Sequence, residues 1–423
     1  MKRGPNQAVC KAHGRIAAFG DQLTSVELGG PGWLVTDGPI GPRPISVPAA
    51  DLLDLATVVY RIERQLQKRS ASNPNVKYEL TIPLRDPQSW RERPSRLLEE
   101  LLGFLGNTVW EVNVVSRPRQ ATGFSKIKPS DQPVRRVALL SGGLDSACGA
   151  GAGLVSVHDT QLCSFYTRQK ALQADIAADL DFPRPTQWRQ QGSTGPGRSF
   201  YYRSFLFLAL AAATAETWGA REVVQFENGI LASAIPPVPS LAMTRHAHPK
   251  LHQLFVKLVD CVLTGRWCVV NPLWQMTKRE AVHALEKEIG NKRAAQITSA
   301  TQSCWNLSAP HVFGVRTLGP DTKHANEQCG VCIPCIIRRT ALPREHFAFD
   351  LRRNGVRNHA KLGAHFLEYV ELLSAVRAAR TTAEFRTVLP AEALDLIDDG
   401  WVDLNSLERL FRQFAKEFFD TFF

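Results

Sequence analysis

The sequence predicts an α/β fold: a parallel sheet with helices on both faces, preceded by an α+β region and followed by a helical tail. Three observations carry this. Between residues 134 and 271 short apolar runs alternate with stretches of helical periodicity, the order that builds strand–helix–strand units. The runs are apolar at every position, as in Val137-Ala138-Leu139-Leu140, which marks strands covered on both faces. One run stops at Ser141-Gly142-Gly143, a tight turn that opens a helix at the edge of the sheet where such folds bind ligands.

The elements can be justified in order. Residues 1–130 form an N-terminal α+β accessory domain. Gly and Pro crowd residues 29–48, which read as loops and short strands. Residues 51–67 place Leu52, Leu55, Val58, Val59 and Ile62 at helical spacing. Residues 76–84 read as a strand, 94–105 as a helix with Pro in its first turn, and 108–115 as an alternating strand. No catalytic constellation stands out here, so the domain reads as a stabilising or partner-docking appendage. The polar, Pro-bearing residues 121–133 read as linker. In residues 134–300 strands are expected at 134–140, 161–166, 187–190, 222–226 and 268–271, with helices at 144–157, 170–180, 201–218 and 249–263. Residues 301–345 form a cysteine-bearing segment. Residues 346–423 are helical, and their apolar stripes at 365–379 and 404–423 suit packing on a core or at a dimer seam.

Composition narrows the class. With 423 residues, 44% of them hydrophobic and 22% charged, the chain is a globular protein of two or three domains. Lys and Arg number 51 against 40 Asp and Glu, a net charge of +11. That balance permits an anionic nucleotide or nucleic acid as partner without requiring either, and direct nucleic-acid binding is not the favoured reading. The apolar run at 205–213 is too short to span a bilayer, and Met1-Lys2-Arg3 is followed by no apolar signal region, so a cytoplasmic protein is expected. Three of the nine cysteines fall within seven residues, which argues for a metal in a reducing compartment rather than a disulfide frame.

Two motifs carry chemistry. In Leu140-Ser141-Gly142-Gly143-Leu144-Asp145-Ser146 the glycines let backbone approach a ligand, and the first amides of the following helix favour an anion. Asp145 repels phosphate, so it implies a cation such as Mg²⁺, or a hydrogen-bonding task in the turn. The Walker pattern is absent; the bland alternative is an ordinary strand-to-helix turn. In the second motif Cys329, Cys332 and Cys335 stand at intervals of three, and Cys304 supplies a fourth thiol. Four thiolates suit a closed Zn²⁺ site; an iron–sulfur cluster or packed small side chains are the alternatives. Between these motifs Thr277 and Glu280 form a capping box, and Lys278 starts the helix where it can reach a phosphate or simply meet solvent. Glu227, Arg245, His246 and His248 are candidates for base recognition or for deprotonating an amine, against a reading as polar loop residues.

The glycine turn resembles the PP-loop of the N-type ATP pyrophosphatases, whose pattern is SGGxDS after a strand. Ser141–Ser146, the segment from Pro272 to Glu280, and Ser303-Cys304 followed by Cys-Gly-x-Cys-x-x-Cys and Arg338 together resemble the QueC (7-cyano-7-deazaguanine synthase) family. Arg203-Ser204 is similar to that family's Arg-Asn segment. The resemblance covers about half the chain. It implies an adenine-nucleotide alpha-hydrolase-like sheet, ATP cleaved to AMP and pyrophosphate, Mg²⁺, catalytic roles for Asp145, Lys278 and Arg203, and zinc on the four cysteines. The longer plan, with its N-terminal region and C-terminal helices, resembles the QueC-like proteins of bacterial anti-phage systems, such as QatC of the Qat system and its relatives in CBASS operons. That implies joining a 7-deazaguanine carboxylate to an amine on a protein partner encoded nearby. The alternatives are synthesis of 7-cyano-7-deazaguanine with ammonia in queuosine biosynthesis, or PP-loop modification of tRNA.

Overall fold

The computed structural model describes residues 11–16, 23–27, 34–70, 77–117, 133–166, 169–190, 201–235, 244–305, 311–312, 315–316, 327–352, 357–360 and 362–423. Cys10, Thr167, Arg168 and nearly all of the linker expected at 121–133 lie outside them. The first region contains β1 (Lys11–Ile16), β2 (Leu23–Glu27), β3 (Leu34–Asp37), α1 (Val47–Ser70), β4 (Lys77–Leu84), α2 (Arg93–Gly106) and β5 (Val109–Ser116). Next come β6 (Arg136–Leu139), α3 (Leu144–Gly151), β7 (Thr160–Phe165), α4 (Lys170–Asp179), β8 (Thr186–Gln190), α5 (Arg203–Trp218) and β9 (Glu222–Val224). They are followed by α6 (Gly229–Ala232), α7 (Pro249–Val262), β10 (Cys268–Val270), α8 (Lys278–Ile289) and α9 (Asn291–Ala300). The remainder is helical: α10 (Ile333–Ala341), α11 (Ala364–Ala378), α12 (Thr382–Val388), α13 (Ala391–Asp398) and α14 (Leu404–Phe422).

The expected α/β architecture is present. A six-stranded sheet runs β10-β9-β6-β7-β8-β3, with every pair parallel except β8 and β3. The five parallel strands follow a doubly wound order, stepping outward from β6 in one direction and then, from β9, in the other. The chain therefore reverses direction between β6 and β9, where carboxyl ends of neighbouring strands leave a crevice. The expected strands of this sheet are all found, within three residues at each end. Helix α3 stops at Gly151 rather than 157, and Gly153 takes a left-handed φ of +69° just beyond.

The smaller sheet runs β2-β1-β4-β5, with β4 and β5 parallel. It does not stand apart. Strand β3 forms the antiparallel edge of the central sheet, pairing Leu34 with Gln190 and Asp37 with Gln187. Asp37 also accepts from Lys170 at the start of α4. Leu52, Val59, Leu101 and Leu102 share one core with Phe205, Leu208, Leu254 and Phe255 of α5 and α7. The boundary expected near residue 130 is thus a boundary in sequence but not in packing. A second core joins Cys329, Cys332, Cys335 and Ile337 to Phe366, Tyr369, Phe411, Phe414 and Phe418, so the cysteine segment and the C-terminal helices also pack as one.

Candidate functional site

The glycine turn sits at the reversal point. Strand β6 ends, and Gly142 turns the chain with φ +84°, a region that disfavours any residue with a Cβ. The turn is tied by its own side chains. Ser141 N donates to Ser146 Oγ at 3.2 Å, Gly143 N donates to Ser141 Oγ at 3.1 Å, and Ser146 Oγ donates to Gly143 O at 3.0 Å. Other segments brace it: Gln173 Nε2 donates to Ser141 O at 3.2 Å, Gln302 N to Gly142 O at 3.0 Å, and Leu144 N to Ser303 Oγ at 3.4 Å. Leu140 and Leu144 are buried and anchor the turn's two ends.

Beside the turn lies a buried charge cluster. Lys278 is only 2% exposed, and its Nζ lies 2.5 Å from Asp145 Oδ2. The reading of Lys278 as a solvated first-turn residue therefore fails. The capping box holds it in place: Thr277 Oγ1 accepts from Glu280 N at 3.1 Å, and Glu280 Oε2 accepts from Thr277 N at 2.8 Å. Asn228 Nδ2 reaches both Asp145 Oδ2 and Glu227 Oε1 at 3.2 Å. Asn271, just past β10, grips the Glu227 backbone, donating to its carbonyl at 2.8 Å and accepting from its amide at 3.2 Å. Burial opposes the Asp145 charge, but Lys278 and the hydrogen bonds from Glu227 and Asn228 hold its carboxyl below the usual range. Burial and then the Asp145 carboxylate push half-exposed Glu227 well above it. The two carboxyls thus drive each other apart, Asp145 toward its charged form and Glu227 toward its protonated form. Asp145 Oδ1 is buried, and no nitrogen donor reaches it.

Arg203, the first residue of α5, lies within electrostatic reach of Glu227. Its Nε and Nη2 donate to His246 Nε2 at 3.0 and 2.6 Å. Burial and the Arg203 charge push His246 well below the usual histidine range, so the imidazole is neutral with its proton on Nδ1. The other two tentative substrate residues have different neighbours. The Arg245 guanidinium stacks 4.6 Å from the Phe104 ring centre and donates to Phe104 O. His248 is the N-cap of α7; its Nδ1 accepts from Lys250 N at 3.1 Å, and its ring meets Phe104 edge-on. Both fasten α7 to α2 and are not gathered with Asp145.

The four cysteines do come together. The sulfurs of Cys304, Cys329, Cys332 and Cys335 all lie within 4.8 Å of one another. Cys329 and Cys335 are 3.9 Å apart; thiolates bound tetrahedrally to zinc at about 2.3 Å stand about 3.8 Å apart, so the set fits such an ion. Gly330 takes φ +82°, and a Cβ there would lie 2.3 Å from Phe349 O. The amides of Cys329 and Cys332 point at the sulfurs of Cys304 and Cys329, at 3.3 and 3.4 Å. Buried Arg338 joins this centre to the turn. It donates to Thr301 Oγ1 at 2.7 Å and Ser303 Oγ at 3.3 Å, and it pairs with Glu345 at 2.6 Å.

The structure therefore links Leu140–Ser146, Asp145, Lys278, Glu227, Arg203 and His246 through a chain of contacts, and Gln302 and Ser303 tie the turn to Cys304. Asn228, Asn271 and Gln302 escaped notice in the sequence. Only Asn228 had a signal, its place beside Glu227 at the end of an expected strand. Fold and site together define a doubly wound α/β protein with a glycine turn at the reversal point of its sheet and a four-cysteine centre able to hold a metal such as zinc. No helix among the described residues is long and apolar enough to cross a membrane. Comparison with protein-family models and with curated proteins found no match.

Proposed function

We propose that the chain is a QueC-like, PP-loop ligase that consumes ATP and forms AMP. In this reading it activates 7-carboxy-7-deazaguanine and passes the acyl group to an amine on a protein partner in bacterial anti-phage defence. The observation that carries the reading is the Lys278–Asp145 pair, buried beside the glycine turn at the reversal point of the sheet.

The chemistry follows from charge and position. Lys278 and the positive end of α3 attract the β and γ phosphoryl groups of ATP. The substrate carboxylate attacks the α-phosphorus. An O–P bond forms, the α–β bridging bond breaks, and pyrophosphate leaves toward the turn, where Lys278 meets its growing charge. The amine nitrogen then attacks the acyl carbon, a C–N bond forms, the C–O bond to AMP breaks, and the amine proton passes to water. Holding both reactants in one crevice supplies the orientation. Asp145, through Oδ1, which no nitrogen donor reaches, would hold Mg²⁺, which offsets phosphate charge when bound. Burial and the Asp145 carboxylate favour the protonated form of Glu227, which suits a hydrogen-bond donor better than a base for the amine proton. The cysteine centre would hold zinc in a structural role.

The test is intact mass. The protein is incubated with ATP, Mg²⁺, 7-carboxy-7-deazaguanine and the proteins encoded beside it. A partner heavier by one deazaguanine acyl group supports the reading. A free nitrile formed with ammonia would replace it with the synthase alternative, and unchanged masses reject both.

A further inference from the structure

We propose that Arg203 and His246 form the seat of the carboxylate that is to be activated; this rests on the ligase reading and deepens it by placing one of its two substrates. Arg203 is an unusual cation. Among the described residues its guanidinium makes no ion pair, and its hydrogen bonds go to one atom, His246 Nε2. A neutral imidazole orients a guanidinium without cancelling its charge. The nearby carboxyls do not cancel it directly either. Glu63 on α1 accepts from Tyr201 N at 2.9 Å and Tyr202 N at 3.3 Å, and Glu227 is driven toward its protonated form. Leaving a partly buried cation without a counter-ion is costly unless an anion completes it.

The geometry selects the kind of anion. A guanidinium offers five N–H groups, and the Nε–Nη2 edge here is turned to His246. The opposite edge, Nη1 with the second hydrogen of Nη2, remains for a ligand, and it matches the two oxygens of a carboxylate. His246 is itself fixed from behind. Its carbonyl accepts from Gln225 Nε2 at 3.0 Å, and Gln225 Oε1 is engaged with His252 Nε2 at 3.0 Å. The position of the seat also suits a carboxylate. Lys278 serves the phosphates, and Glu227 lies within electrostatic reach of both Lys278 and Arg203. Arg203 thus lies beside Glu227 without belonging to the glycine turn, and Glu63 acts on it only at a distance. The Arg203 position at the start of α5 adds the positive end of a helix.

The experiment is calorimetric titration of the full chain with three probes: α,β-methylene ATP, 7-carboxy-7-deazaguanine and its neutral 7-carboxamide. Arg203→Met is expected to weaken the carboxylate by about 30-fold or more while leaving the carboxamide and the ATP analogue within about twofold. Arg203→Lys keeps the charge but not the fork and is expected to fall between. His246→Phe, which frees the guanidinium to swing, is expected to cost the carboxylate about tenfold. These two milder variants carry the test if Arg203→Met fails to fold. Equal binding of carboxylate and carboxamide by wild type, or loss of the ATP analogue alone in Arg203→Met, overturns the seat. If wild type still exchanges pyrophosphate into ATP in the presence of the carboxylate, that result leaves the ligase reading standing. A wild type that binds the ATP analogue but neither deazaguanine overturns both.

Discussion

At the scale of single residues, the Lys278–Asp145 pair concentrates the cost and the use of this site. Two buried charges attract strongly, but removing one strands the other, at about 3–5 kcal/mol. Asp145→Asn and Lys278→Met should each lower stability by about that amount, while the double variant should lose clearly less than their sum. Chemical denaturation of the four proteins measures this, and additive losses would show that the pair is not a closed ionic contact. The pair was invisible in the sequence because its members are 133 positions apart and meet only through tertiary packing. Arg245 and His248 show the converse. They were candidates for base recognition or for deprotonating an amine, and both pack against Phe104. Buried histidines give a second expectation at this scale. Burial, with neighbouring positive charge, pushes His248 down to about 3, and burial pushes His252 down to about 4. Unfolded histidines titrate near 6.5, so the unfolded chain binds more protons as pH falls below that value, and stability drops with it. At pH 5 each should cost about 2 kcal/mol relative to pH 8. Replacing His252 with Gln should flatten that slope in urea melts, and an unchanged slope would assign the loss to other groups.

At the scale of elements, the turn and the cysteine centre are parts of one construction. Residues 301–304 run from Thr301, which accepts from Arg338, through Gln302 and Ser303 on the turn, to Cys304 in the metal set. Metal binding should therefore order the glycine turn. Stripping metal with a chelator should weaken α,β-methylene ATP about tenfold, and by reciprocity the nucleotide should slow metal release by a similar factor. Ser303→Ala should keep full metal content but reduce that coupling, because it removes the hydroxyl that caps Leu144 N. Metal release that ignores nucleotide would separate the two elements. The sequence disclosed each motif because short fixed spacings encode local geometry. It did not disclose their union, which depends on Arg338 being fully buried between them. Likewise the longer helices were legible from their period, whereas α6, with four residues, has too few to show one.

At the scale of the whole molecule, the N-terminal region and the C-terminal helices are built into the frame of the central sheet. Strand β3 closes one edge of the central sheet, and α14 grips the helix that presents Lys278. Glu417 Oε1 accepts from Thr277 Oγ1 at 2.8 Å, Arg409 pairs with Glu280 at 2.9 Å, and Arg279 donates to Thr421 at 2.7 Å. Helix α14 also buries Phe411, Phe414 and Phe418. Losing such side chains costs about 3–5 kcal/mol apiece, comparable in sum to the stability of a domain. Removal of residues 404–423 should therefore leave a protein that neither retains metal nor folds cooperatively; retained metal with a sharp melt would show the tail to be an appendage. The sequence suggested a core or a seam for these helices, and the core is what the packing realises. The central claim concerns which phosphorus of ATP is attacked. The direct measurement is to follow ATP labelled at both the α and γ positions in the presence of Mg²⁺, 7-carboxy-7-deazaguanine and the partner proteins encoded beside the chain, which supply the amine that releases AMP. Labelled AMP and labelled pyrophosphate in equal amounts, lost in Lys278→Met, are the expected products. Labelled ADP with labelled orthophosphate would contradict the account.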